Sequence, residues 1–211
     1  MIDAEKYFDQ VDCPAIDCMS EFEIEKFCLH LRSVIELNDL DVLSIGCADC
    51  KIEKVLFNSI NPRSFTGIDF SSYHLSKARE KIPSAKFICA DLKKDLPDLE
   101  SYDVIYGFSI AQYFSHDELL TLHENMYQFL KPNGKLIYFN VPDERRKFLY
   151  RINKAIIMED EKYLESRFDF VDDLSHWCIR DSFRVNGYKT TFLTPSCCWE
   201  RFDAIMLKKN P

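Results

Sequence analysis

Between residues 41 and 142, short apolar runs alternate with stretches of helical periodicity. Val42, Leu43 and Ile45 make one run, which stops at Gly46, and Ile52, Val55 and Leu56 then recur at helical spacing. Repeating this reading predicts strands near 42–46, 65–69, 86–90, 103–109 and 135–141, with helices over 51–58, 71–81 and 117–130. The run Asp103 to Ser109 is nearly all apolar, as expected of a central strand covered on both faces. Such βαβα alternation predicts a parallel sheet with helices on both sides. Leu130-Lys131-Pro132-Asn133-Gly134-Lys135 reads as a helix-to-strand turn, with Pro132 ending the helix and Gly134 supplying positive φ.

Upstream, Ser20 and Glu23 form a capping box ahead of Phe27, Leu31, Val34 and Ile35, so a helix is expected there. Tyr7, Phe8, Cys13 and Cys18 read either as a packed arm or as a flap over a ligand. After Pro142 the rhythm changes to a charged, aromatic-studded stretch, read as one or two inserted helices over 143–175. A helix from Trp177 to Asn186 stopped by Gly187, then a hairpin of strands near 188–193 and 200–207, closes the chain. The expected organisation is one domain: arm and helix 1–40, core 41–142, insert or lid 143–175, and closing elements 176–211.

At 211 residues with 46% hydrophobic side chains, the chain can bury one sizeable α/β core. Its formal charge of −8 and the lack of a dense Lys/Arg run argue against a nucleic-acid partner. The start carries acid where a secretory leader needs base, and no apolar stretch approaches the ~20 residues of a membrane span. These features lead us to expect a cytoplasmic protein. The nine cysteines are scattered, as reduced thiols are, and the lone pair Cys47-x-x-Cys50 lacks the second pair a metal site needs. No metal is expected.

Three strand ends carry the chemistry: Gly46-Cys47-Ala48-Asp49-Cys50, Gly67-Ile68-Asp69 and Cys89-Ala90-Asp91. Asp69 lies 23 residues beyond Gly46, close to the ~20 of the acidic residue in dinucleotide-type sites. The triple pattern, with the Leu-Lys-Pro-x-Gly turn before strand five, resembles the class I S-adenosylmethionine-dependent methyltransferases from about residue 20 onward. The resemblance implies a doubly wound, mostly parallel seven-stranded sheet whose closing strand, Arg201 to Leu207, enters antiparallel beside the fifth. It implies S-adenosylmethionine as cofactor and S-adenosylhomocysteine as product, held by Gly46, Cys47, Ala48, Asp69, Phe70, Asp91, Leu92 and Ser109. Asp69 would take the ribose diol, and Asp91 the adenine amine with Phe70 and Leu92 at the ring. A strand-end Asp also serves as a helix cap or Asx-turn, and for Asp69 both readings stand at this point.

The loop departs from the family pattern. Ser44 stands where an acid is usual, and Ala48 and Cys50 replace the second and third glycines. These changes keep open a binding-only, non-catalytic relative of the same fold. Base candidates at the sheet's C-terminal edge are His116, Asp143 and His176, although His116 also reads as a helix start. Arg145-Arg146-Lys147 and Arg151 read either as a clamp for a phosphate or carboxylate or as a solvated helix face. Strand four lacks the Asn/Asp-Pro-Pro-Tyr/Phe end of enzymes that methylate exocyclic amines. The expected activity is therefore methyl transfer to a small polar molecule, with O-methylation of a sugar or secondary metabolite as first choice, by a monomer or homodimer.

Overall fold

The computed structural model describes residues 20–94, 96–159, 177–194 and 201–209. Helix α1 (Glu21–Val34) begins at the expected capping box, where the Ser20 hydroxyl accepts from Glu23 N and the Glu23 carboxylate from Ser20 N. Strand β1 (Asp41–Ile45), helix α2 (Lys51–Leu56), β2 (Ser64–Asp69), α3 (Ser72–Lys81) and β3 (Lys86–Cys89) follow in turn. Next come β4 (Tyr102–Phe108), a 3-10 turn (Ala111–Tyr113), α4 (His116–Phe129), β5 (Leu130–Pro142) and α5 (Lys147–Met158). A second 3-10 turn (Arg180–Phe183), β6 (Tyr188–Leu193) and β7 (Arg201–Lys208) complete the described elements.

The seven strands lie in the order β3-β2-β1-β4-β5-β7-β6. Pairings from β3 through β5 are parallel, and β7 runs antiparallel to both β5 and β6. This is the expected doubly wound sheet. Side chains alternate between two cores: Val42, Val104, Ile137 and Phe139 meet α1, α2 and α3, while Leu43, Ile105, Leu136 and Tyr138 meet α4 and the Phe183 turn. The chain reverses its winding between β1 and β4, so their carboxyl ends flank the crevice where such folds bind ligands.

Two expectations fail locally. Residues 177–186 do not form a helix: Cys178 bridges Asp143 in parallel, donating its N–H to Pro142 O at 2.9 Å and accepting from Glu144 N at 3.0 Å. Pairing with the end of β5 satisfies this backbone before a helix could. Likewise the 130–135 turn is drawn into β5, and Asn133, not Gly134, takes the positive φ of 62°. Gly134 is needed for space, since a Cβ there would lie 2.9 Å from Lys131 O.

His123 on α4 is fully buried between Tyr138 and Phe183, and among the described residues neither ring nitrogen has a hydrogen-bond partner. Burial drives its pKa from 6.5 down to about 3. The folded state therefore holds the neutral ring, and the stability this gives above pH 6.5 is lost as pH falls toward 3. We expect His123→Phe to be more acid-stable, with its advantage over wild type growing by roughly 3 kcal/mol between pH 6.5 and 4 in urea unfolding. A constant advantage across that range would contradict the assignment.

Candidate active site

After β1 the chain turns through Gly46, Ala48 and Cys50 with φ of 64°, 45° and 56°. All three positions that carry glycine in the family pattern are left-handed here, two of them in residues with a side chain. A left-handed non-glycine residue costs about 1–2 kcal/mol, so surrounding contacts must hold the turn. Cys47 N donates to Ile68 O at 3.0 Å, Ala48 N to Asp69 Oδ2 at 2.9 Å, and Cys50 N to Cys47 O at 3.0 Å. Gly46 is required for a second reason, because a Cβ there would lie 2.4 Å from Ile110 Cδ1. The crowding neighbour is thus a protein side chain.

Asp69 is the hub of the turn. Its Oδ2 accepts from Ala48 N, and its Oδ1 from Ser71 N at 2.9 Å. Ser71, not Asp69, caps α3 by accepting from His74 N. Burial raises the Asp69 pKa, and the backbone N–H donors oppose that rise. The Phe70 backbone N–H acts on the same carboxylate in the same direction, so Asp69 is held by the turns of both strands. Cys47 and Ala48 lie at the end of β1, Asp69 and Phe70 at the end of β2, and Asp91 and Leu92 just past β3, on three adjacent strands. Asp91 Oδ1 accepts from Lys93 N at 3.0 Å, and Oδ2 lies 3.1 Å from Lys94 Nζ.

The acid missing at position 44 is supplied from α2. Buried Glu53 accepts from Ser44 Oγ and from Tyr106 OH, each at 2.9 Å, and burial raises its pKa. The exchange of Ser44 and Glu53 between strand and helix was visible in the chain, but only contact reveals it as an exchange. Asp49 is engaged by Lys81 from α3. Cys47 and Cys50 are both free thiols, and among the described residues no three metal-ligating side chains cluster.

A second polar group occupies the ends of β4, β5 and β7. Ser109 and Asn140 are also left-handed, with φ of 52° and 60°, and Asn140 Nδ2 donates to Ser109 Oγ at 2.6 Å. Asn140 N donates to Asp203 Oδ1 at 3.0 Å, and Arg201 Nη1 donates to Asn140 O at 2.9 Å and to Gln112 Oε1 at 3.0 Å. Asp203, wholly buried, also meets His30 Nε2 of α1 at 2.5 Å. Neither His30 nor Asp203 is legible as functional from sequence, because the contact joins residues 173 apart. Of the base candidates, His116 is the first residue of α4 and contacts Ser182 Oγ through Nδ1 at 2.8 Å. Asp143 is buried against Arg145 and Arg180, and His176 lies outside the described residues, as do the arm residues Tyr7, Phe8, Cys13 and Cys18.

Residues 42–134 match the family described as Methyltransferase domain. Magnesium protoporphyrin IX methyltransferase from Synechocystis PCC 6803, solved with bound SAM, superimposes with a TM-score of 0.65 over 98% of this chain and 95% of its own, at 12% identity. N-methyltransferase NodS from Bradyrhizobium japonicum WM9, in complex with S-adenosyl-L-homocysteine, gives 0.63 over 98% and 97%, at 16% identity. The chain has the class I methyltransferase fold. Among curated relatives, trans-aconitate 2-methyltransferase of Variovorax paradoxus (strain S110) is 28% identical over 119 residues, 56% of this chain and 44% of that protein. The same-named protein of Enterobacter sp. (strain 638) is 31% identical over 108 residues, 51% of this chain and 42% of its own. The chain thus spans less than half the length of these curated relatives. The family match lies on the half of the methyltransferase fold that carries the Gly46, Asp69 and Asp91 strand ends.

The turn can be tested without any ligand. Ala48→Gly should relieve left-handed strain and raise stability by roughly 1 kcal/mol, whereas Gly46→Ala should lower it by about 2 kcal/mol or more. Urea unfolding reads both. A destabilised Ala48→Gly protein would show that the turn is not held against strain.

Proposed function

We propose that this chain transfers a methyl group from S-adenosylmethionine to a small polar acceptor. The observation that carries the reading is Asp69: a buried carboxylate at the crevice, held in place by backbone N–H groups of the β1 and β2 turns, and a carboxylate is the acceptor that a vicinal diol needs. The loop amides of Cys47, Ala48, Cys50 and Lys51 are already donated within the protein. A pyrophosphate-bearing dinucleotide needs such amides, whereas an adenosyl sulfonium carries no phosphate. Gly46, Cys47 and Ala48 would line the methionine end, with Phe70, Asp91 and Leu92 at the adenine and Ser109 facing the methyl side.

When bound, S-adenosylmethionine supplies a methyl group already activated by positive sulfur. The protein's contribution is then chiefly alignment of the acceptor. Ser109 and Asn140, pinned by Asp203 and Arg201, are fixed beside the crevice and would orient a polar acceptor without rearranging. The binding-only alternative rested on Ser44 and Cys50. Against it, Ser44 recruits a carboxylate from α2, and Cys50 keeps the glycine-like backbone. O-methylation of a sugar or secondary metabolite remains our first assignment for the acceptor, consistent with small-molecule relatives such as the trans-aconitate enzymes.

Calorimetric titration with S-adenosylhomocysteine tests the cofactor assignment. The wild-type chain should bind one equivalent. Asp69→Ala should weaken binding by about a hundredfold, the loss of two hydrogen bonds to a charged group, and Asp91→Ala by about tenfold. Unchanged affinity in folded variants, or no binding to wild type, would overturn the assignment.

A further inference from the structure

Resting on that methyl-transfer reading, we infer that the acceptor carries an oxyanion, a carboxylate or a phosphate, recognised by the guanidinium groups of Arg145 and Arg180 at the end of β5. Asp143, 1% exposed, organises the pair. Arg145 places Nε 3.1 Å from Oδ1 and Nη2 2.8 Å from Oδ2, while Arg180 places Nε and Nη2 at 3.1 and 2.9 Å from Oδ2. Burial pushes the Asp143 pKa up, but the two arginines outweigh it and hold the group ionised. Each guanidinium has five N–H donors and spends two on Asp143. Among the described residues, no acceptor meets the Nη1 group of either.

Charge and position set this pair apart from a structural ion pair. One arginine would neutralise Asp143; two leave a positive charge in a chain whose net charge is −8. Arg180 is also confined by two rings, its guanidinium carbon 5.2 and 5.0 Å from the ring centres of Phe192 and Phe202. The 3-10 turn bearing Arg180 is tied to the sheet through Cys178, whose N–H bonds Pro142 O and whose carbonyl accepts from Glu144 N. The pair therefore stands on β5, two strands from Gly46. At ~4.8 Å per strand that is a sideways offset of roughly 10 Å from the cofactor loop, on the side of β4 away from Asp69, with the pair a few residues further along the strand direction. An oxyanion docks there by paired N–H···O bonds.

The sources separate in one titration series, run on the chain alone and with S-adenosylhomocysteine. The probes are citrate, glycerol 3-phosphate and, as an uncharged control, trimethyl citrate. One anion should bind and the ester should not, and Arg145→Met and Arg180→Met should each weaken that anion at least about tenfold. Arg180→Lys keeps the charge but loses the fork, so it should recover only part of the affinity. Arg145 is mostly exposed, so its variant is expected to fold even if Arg180→Met does not. Binding of S-adenosylhomocysteine with no anion bound, or anion affinity unchanged in Arg145→Met and Arg180→Lys, would overturn the inference and leave methyl transfer standing. Anion binding without S-adenosylhomocysteine would keep the oxyanion site but remove methyl transfer.

Discussion

The turn after β1 is the constraint on which the crevice depends. Three of its five residues are left-handed, and only Gly46 adopts that conformation without cost. Asp69 stabilises the arrangement by holding Ala48 N from the neighbouring strand while closing its own turn through Ser71 N. One carboxylate thereby fixes the ends of β1 and β2 relative to each other. It also turns the loop amides inward, where they are donated to the protein itself.

Strain recurs on the far side of the crevice. Ser109 just past β4 and Asn140 at the register shift within β5 both have positive φ, and each is pinned by side chains from elsewhere in the fold. Asp203 on β7 holds Asn140 N and also binds His30, so α1 is tied to the same strand ends. Backbone strain of this kind persists only where the surroundings over-determine it, and it clusters where positions must be exact. Both sides of the crevice are thus held by buried carboxylates, Asp69 on one side, Asp203 and Asp143 on the other.

Much of this architecture was legible in the sequence because it is local. Apolar runs, the capping box at Ser20 and Glu23, and strand-end Gly46, Asp69 and Asp91 all declare themselves within a few residues. What stayed hidden depends on contacts between distant residues: Glu53 beneath Ser44, Asp203 against His30, Arg180 on Asp143. The failed helix at 177–186 has the same origin, since pairing of Cys178 with the end of β5 overrides local propensity. Gly134 shows the converse, a turn glycine correctly placed but needed for space where conformation had been the expected reason.

The most direct test of the account is a crystal structure of the chain with S-adenosylhomocysteine. We expect both ribose hydroxyls within hydrogen-bond distance of Asp69, with the carboxylate still bonded to Ala48 N and Ser71 N and the turn still left-handed at Ala48 and Cys50. A ligand seated away from Asp69, or a turn that must rearrange to admit it, would contradict the claim that this crevice is built for the cofactor.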